Sequence, residues 1–160
     1  MALDLGTMPP DDIVTGERML NLGRFEEALA CFAAKEEADL QALFGSAVAR
    51  QMLGRFEEAE ERYERLLAVD PKHQEALANL IAMNVERFHL GRVEEYSRRL
   101  LELNSRSAAA LQGLVMVAVE RRDYEAAARY FRQIVPAGAH GGDAIEYRLS
   151  RQTVERLRSY

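Results

Sequence analysis

The residues with the clearest catalytic or metal-binding potential in this 160-residue chain are three histidines and a single cysteine. His73, His89 and His140 lie far apart in sequence, and none has a second ligand at the spacing of a metal-binding motif. Cys31 lies on the apolar side of a helical segment, where a small buried thiol is the usual outcome. We therefore predict no metal site and no cofactor.

Carboxylate pairs and a glycine-rich stretch are the remaining candidates for chemistry. Glu26-Glu27 and Glu57-Glu58 begin helical segments, and adjacent helical residues point about 100° apart, so neither pair suits acid–base catalysis. The stretch AGAHGGD around His140 lacks the Gly-Lys-Ser/Thr ending of a phosphate-binding loop. The sequence therefore predicts a protein that is not an enzyme.

A recurring phrase predicts the elements that carry these side chains. Its clearest copy is LGRFEEAEERYERLLAVDP, residues 53–71. Apolar residues in this copy recur at three- and four-residue spacing, which forms one face of a helix; they are Phe56, Ala59, Tyr63, Leu66 and Leu67. Pro71 disfavours helical geometry at Asp70 and ends the segment.

Four copies of the phrase, each preceded by a second helical stretch, predict an all-α fold of about four helix pairs over residues 9–136. The turn residues predicted from the sequence are Gly23, Gly54, Gly91 and Arg122, which are 31, 37 and 31 positions apart. Neither helix of a pair can bury its apolar stripe alone, whereas stacked pairs bury a continuous core. The predicted pairs cover residues 9–39, 40–73, 74–107 and 108–136.

The ends of the chain are predicted to lie outside this array. Residues 1–8 are expected to form a flexible leader, residues 137–142 a loop, and residues 143–160 a helix that either caps the array or occupies its groove. The start of the chain lacks the pattern of a secretion signal, and no window approaches 18 apolar residues. We therefore expect a cytoplasmic protein without a membrane span.

Three copies contain alanine followed four positions later by an aromatic residue, at Ala28–Phe32, Ala59–Tyr63 and Ala127–Phe131. With Pro71, this pattern resembles the tetratricopeptide repeat (TPR) family, and the resemblance implies a right-handed α-solenoid. In the third copy, counting from Gly91 places Tyr96 at the alanine position and Leu100 at the aromatic position. We therefore predict that the helices of this pair splay apart around Tyr96.

The TPR resemblance also implies a function, because the first helices of TPR pairs line a concave groove that usually holds a peptide. It therefore implies a protein-interaction module, acting as a scaffold, assembly factor or chaperone, that binds a segment of a protein partner. The repeat register assigns to the groove Gln41, Phe44, Val48, Met52, Ala78, Asn79, Ala82, Gln112 and Met116. Only Asn79 matches the residues with which some TPR domains clamp a C-terminal carboxylate, so we predict no such clamp.

The charge distribution supports one alternative and disfavours another. Residues 1–80 contain 8 Lys and Arg against 16 Asp and Glu, whereas residues 81–160 contain 13 against 10. An acidic front half and a basic back half could join copies into a homo-oligomeric, salt-sensitive scaffold. The repeat phrase also resembles pentatricopeptide repeats, which bind RNA, but the acidic front half and the lack of basic groove residues disfavour nucleic acid as a partner.

Overall fold

In a computed structural model that describes residues 13–134, every regular element of that range is an α-helix. The helices are α1 (Ile13–Asn21), α2 (Phe25–Ala33), α3 (Leu40–Met52), α4 (Phe56–Val69), α5 (Gln74–Glu86), α6 (Leu90–Leu103), α7 (Ala108–Glu120) and α8 (Tyr124–Ile134). None of these helices is long and apolar enough to cross a membrane. The predicted all-α fold is confirmed. The leader at 1–8, the loop at 137–142 and the capping helix at 143–160 lie outside the described residues.

The chain forms two compact units that meet in sequence between Ala76 and Leu77, within α5. In the first unit α1 packs on α2, α2 on α3 and α3 on α4. In the second unit α6 packs on α7 and α7 on α8. Each unit therefore shows the packing of consecutive helices that is typical of helical repeats.

The core of the first unit is built around Phe32, whose side chain is fully buried. Its ring lies against Gly16 of α1 and Gly45 of α3. A Cβ atom would lie 2.6 Å from the ring at Gly16 and 2.5 Å from it at Gly45. The two glycines therefore allow α1 and α3 to approach the ring.

The four turns that join the helix pairs within residues 13–134 share one hydrogen-bond pattern. The residue after each turn donates its N–H to the carbonyl five positions earlier, at 2.9 Å in all four turns; the donors are Arg24, Arg55, His89 and Asp123. The turn residue itself donates to the carbonyl three positions earlier. These two bonds define a Schellman motif, which needs a left-handed residue. In chain order, the left-handed residues of the four turns are Gly23 (φ 73°), Gly54 (φ 74°), Phe88 (φ 60°) and Arg122 (φ 60°).

The third turn therefore lies at Phe88, and the sequence prediction of Gly91 is wrong. Gly91 is the second residue of α6, and a Cβ atom there would meet open space. The prediction relies on glycine as the marker of a left-handed turn, whereas here a residue with a side chain adopts that conformation. The turn residues are 31, 34 and 34 positions apart, so the third pair follows the regular TPR period.

The corrected register changes the interpretation of α6. Val93 and Ser97, rather than Tyr96 and Leu100, occupy the alanine and aromatic positions of the repeat. Val93, Tyr96 and Ser97 are all fully buried. Ser97 lies so close to α7 that a Cβ atom at Gly113 would be 2.5 Å from its hydroxyl oxygen. The small serine therefore allows α6 and α7 to pack closely. The splaying of α5 and α6 around Tyr96 stays a prediction.

A shortened α2 explains why the first two turns are only 31 positions apart. This helix has 9 residues, whereas α4 and α6 each have 14. Residues 34–38 form turns in place of further helix, and they bring Glu36 into the interior, where it is 8% exposed.

Glu36 joins a buried polar network between α3 and α4. One carboxylate oxygen lies 3.0 Å from Nη1 of Arg50 and accepts a hydrogen bond from Ser46, and the other lies 3.2 Å from Nε of Arg62. Burial raises the pKa of Glu36, but the hydrogen bond from Ser46 and the positive charges of Arg50 and Arg62 outweigh it. The net result is a pKa below the ordinary value. This network was not predicted from the sequence.

The turn assignment can be tested by glycine substitution. Phe88→Gly and Arg122→Gly should each raise the free energy of unfolding by about 0.5–1 kcal/mol, because glycine adopts left-handed backbone without the Cβ penalty. Gly91→Ala should leave it unchanged or raise it by up to about 1 kcal/mol, because Gly91 is helical and unobstructed and alanine favours a helix. Urea denaturation measures all three. A loss of about 1 kcal/mol or more in Gly91→Ala would instead place the left-handed turn at Gly91.

The Glu36 network predicts a pH-dependent stability. Glu36→Gln should lower the free energy of unfolding by about 2–4 kcal/mol at neutral pH, because it leaves two guanidinium groups without their buried carboxylate. Because the folded-state pKa of Glu36 is depressed, its stabilisation is present above the unfolded-state pKa and is lost as the pH falls through the folded-state pKa.

Urea denaturation from about pH 7 to about pH 3 should therefore show the wild type and Glu36→Gln converging as the pH falls. Glu37→Gln is the matched control, because Glu37 is an exposed neighbour whose ion pair with Arg65 is at the surface, and it should change stability little. A Glu36→Gln deficit that stays constant over this pH range would contradict the assigned charge network.

Candidate functional site

A cavity of about 600 Å³ lies in the second unit, lined by α5, α7 and the turn after α5. This volume is within the range of pockets that bind small molecules. We call it the α5–α7 pocket. Its lining residues are Ala78, Ile81, Ala82, Val85, Glu86, Phe88, Ala109, Gln112, Gly113, Val115, Met116, Val119 and Glu120.

Most of the lining consists of equivalent positions in two successive repeats. Each pair is 34 positions apart: Ala78–Gln112, Ile81–Val115, Ala82–Met116, Val85–Val119 and Glu86–Glu120. Because 34 residues is also the TPR period, α5 and α7 contribute the same helical face to the pocket. Ala78 and Ala82 are smaller than their α7 counterparts, so α5 leaves space into which an apolar side chain can fit.

Close packing at Gly113 fixes the wall of the pocket. A Cβ atom at this position would lie 2.5 Å from the hydroxyl oxygen of Ser97, and 3.1 Å from side-chain carbons of Ile81 and Val93. Residues from α5, α6 and α7 therefore converge on one point. Because Gly113 has no side chain, α7 can pack closely against α5 and α6.

One end of the pocket is acidic. Glu86 and Glu120 are the last residues of α5 and α7, and both are exposed. Helix C-termini also carry partial negative charge, which adds to that of the carboxylates. Phe88, two positions beyond Glu86, contributes a side chain that is 56% exposed. Among residues 13–134, no lysine, arginine or histidine lines the pocket.

The arginine that follows Glu120 is held by a different carboxylate. The guanidinium of Arg121 lies 2.6 Å from Glu94 of α6, which also pairs with Arg98. Hydrogen bonds from Arg98 and Arg121 lower the pKa of Glu94, so this carboxylate stays ionised at neutral pH. Within residues 13–134, neither Glu86 nor Glu120 forms an ion pair. The acidic end is therefore not neutralised by the described part of the chain.

The structure places four of the nine predicted groove residues in the lining: Ala78, Ala82, Gln112 and Met116. Asn79, also on α5, is half-buried and is not part of the lining. The role of these five predicted groove residues in peptide binding remains a prediction.

The other four predicted groove residues lie on α3 in the first unit, and they are Gln41, Phe44, Val48 and Met52. The side-chain amide of Gln41 donates to Glu17 of α1 at 2.6 Å. The half-buried ring of Phe44 lies 4.9 Å from the His73 ring and 6.0 Å from the Tyr63 ring, measured between centroids. Two of the four therefore contact neighbouring side chains of their own unit.

The acidic and aromatic end of the pocket was not predicted from the sequence. Glu86 and Glu120 are 34 and 68 positions after Met52, which was predicted to line the groove. The repeat offset could therefore have identified both. Phe88 was missed for a different reason, because the predicted turn lies at Gly91, three residues after the observed one.

No cluster of three or more His, Cys, Asp or Glu side chains in the described part of the chain could hold a metal ion. Cys31 is buried, as predicted.

Solved structures with the same architecture define the class of protein. A tetratricopeptide repeat protein from Parabacteroides merdae ATCC 43184 has a TM-score of 0.73 and 20% identity, over 92% of this chain and 60% of that one. The MamA RS-1 ArsTM double mutant has a TM-score of 0.73 and 15% identity, over 91% and 90%. YrrB, a TPR protein with an unusual peptide-binding site, has a TM-score of 0.71 and 17% identity, over 92% and 83%. The TPR resemblance is confirmed, and the fold is a TPR-type helical repeat.

The family is given by a sequence model of the coatomer epsilon subunit, which matches residues 21–133. The chain belongs to the coatomer epsilon subunit family, which is a TPR-like helical family. The search of curated proteins gave no match. The chain spans 60% of the length of the Parabacteroides merdae protein.

Proposed function

We propose that this protein is a non-enzymatic interaction module that binds a peptide segment of a partner protein in the α5–α7 pocket. The observation that carries the proposal is a largely apolar cavity of about 600 Å³ between the first helices of two successive repeats. A side chain of the peptide would pack against Ala82 and Met116. The amide of Gln112 can donate to or accept from the peptide backbone.

The comparisons support a protein partner. The family is named for a subunit of coatomer, and a subunit functions in contact with other proteins. YrrB is named for a peptide-binding site on the same fold. By analogy with both, this chain would act as a scaffold, assembly factor or chaperone.

The half-buried Met116 provides the direct test of this function. Met116→Glu introduces an unpaired carboxylate into the apolar part of the pocket, and the cost of desolvating it should reduce partner retention by about tenfold or more. The measurement is affinity capture of partners from a lysate of the native host, quantified by mass spectrometry. Circular dichroism confirms that the variant is folded.

Val69→Glu is the matched control, because it adds the same charge at an apolar residue that is 67% exposed at the end of α4. Partners lost by Met116→Glu and kept by Val69→Glu would support the pocket as the binding site. If both variants keep every partner of the wild type, the proposed function of the pocket is wrong.

A further inference from the structure

We infer that the α5–α7 pocket is specific for basic segments, in which an arginine or lysine lies beside a bulky apolar residue. This inference rests on the proposed function, since it specifies the chemistry of the peptide that the pocket would bind. The observations that carry it are the charge, the aromatic ring and the apolar wall of one cavity.

The lining residues that the structure describes carry charge of one sign, which is negative. Glu86 and Glu120 are its charged side chains, and they occupy equivalent positions in successive repeats. Arg121, the cation nearest in sequence to Glu120, pairs instead with Glu94. A cationic side chain would therefore meet two carboxylates and two helix C-termini, whereas an acidic peptide would be repelled.

Phe88 adds a second reason to expect a cation. Glycine occupies this left-handed turn position in the first two repeats, at Gly23 and Gly54. Phe88 keeps a large side chain in a backbone conformation that disfavours one, and that side chain lines the pocket while remaining 56% exposed. The face of an aromatic ring attracts Lys and Arg. Strained residues that line a ligand pocket are often retained for binding.

The apolar residues of the lining would contact the bulky apolar side chain of the peptide. Val85, Val119 and Met116 lie on the same faces of α5 and α7 as the acidic end, and Ala82 leaves space opposite Met116. A bulky aliphatic or aromatic side chain can fill this space while a neighbouring Arg or Lys reaches Glu86, Glu120 and Phe88. The cavity thus fits an apolar residue beside a basic one.

Selection from a phage-displayed library of random short peptides, with the full chain as bait, tests this specificity. We expect the enriched peptides to contain Arg or Lys beside a bulky apolar residue. For a synthetic copy of an enriched peptide, Glu86→Gln with Glu120→Gln should weaken binding by roughly tenfold at low salt. The effect should shrink at high salt, because screening shortens the range of the charges.

Two matched controls separate the pocket from general effects. Glu95→Gln with Glu102→Gln removes the same charge from exposed positions on α6, outside the lining, and should leave the affinity within about twofold. Phe88→Gly should weaken binding by about threefold or more. Arg122→Gly, which relaxes the same backbone conformation outside the lining, should not weaken it.

The outcomes distinguish this inference from the proposed function. If the enriched peptides are neutral or acidic and are lost in Met116→Glu, the pocket binds peptides and the inferred basic specificity is wrong. If the charge-removing variants at Glu86 and Glu95 weaken binding equally, the specificity is also wrong. If no enriched peptide depends on Met116, both the proposed function and this inference are overturned.

Discussion

The left-handed turn between paired helices is the constraint on which the rest of the described structure depends. Each turn places one residue at positive φ and closes with a hydrogen bond over five positions, so the second helix of every pair starts in the same orientation. Gly54, Phe88 and Arg122 are 34 positions apart. This regular spacing brings equivalent residues of α5 and α7 into one pocket. The position of the turn in the sequence therefore determines which side chains form the candidate site.

Much of the fold follows from sequence patterns, because helix pairs, apolar faces and the alanine–aromatic spacing are local features. Ala28 and Phe32, which this spacing identifies, are both fully buried. Two features were not predictable by the same reasoning. A left-handed phenylalanine at position 88 has no local sequence marker, and Gly91 nearby supplies a misleading one. The burial of Glu36 depends on the length of α2 and on the meeting of α3 with α4, which a single sequence does not reveal.

The candidate site was also predicted only in part, because some of its features are local in sequence and others depend on contacts between separate helices. Residues such as Ala82 and Met116 follow from the helical face that a TPR repeat presents, and they do line the pocket. Glu86 and Glu120 of its acidic end lie at repeat offsets from Met52 and could have been identified in the same way. Phe88 could not, because the glycine at position 91 places the predicted turn three residues too late. The wall of the pocket includes Gly113, which packs against Ser97 of α6. That contact joins separate elements, so it is visible only in three dimensions.

The central claim is that a segment of a partner protein lies in the α5–α7 pocket. The most direct test is photocrosslinking in the native host, with the photoreactive residue p-benzoylphenylalanine replacing Met116 in one variant and Val69 in another. Mass spectrometry then identifies the crosslinked peptides. The account predicts crosslinks from position 116, and not from position 69, to a partner segment with Arg or Lys beside a bulky apolar residue. Equal crosslinking from both positions, or no crosslink from position 116, would contradict it.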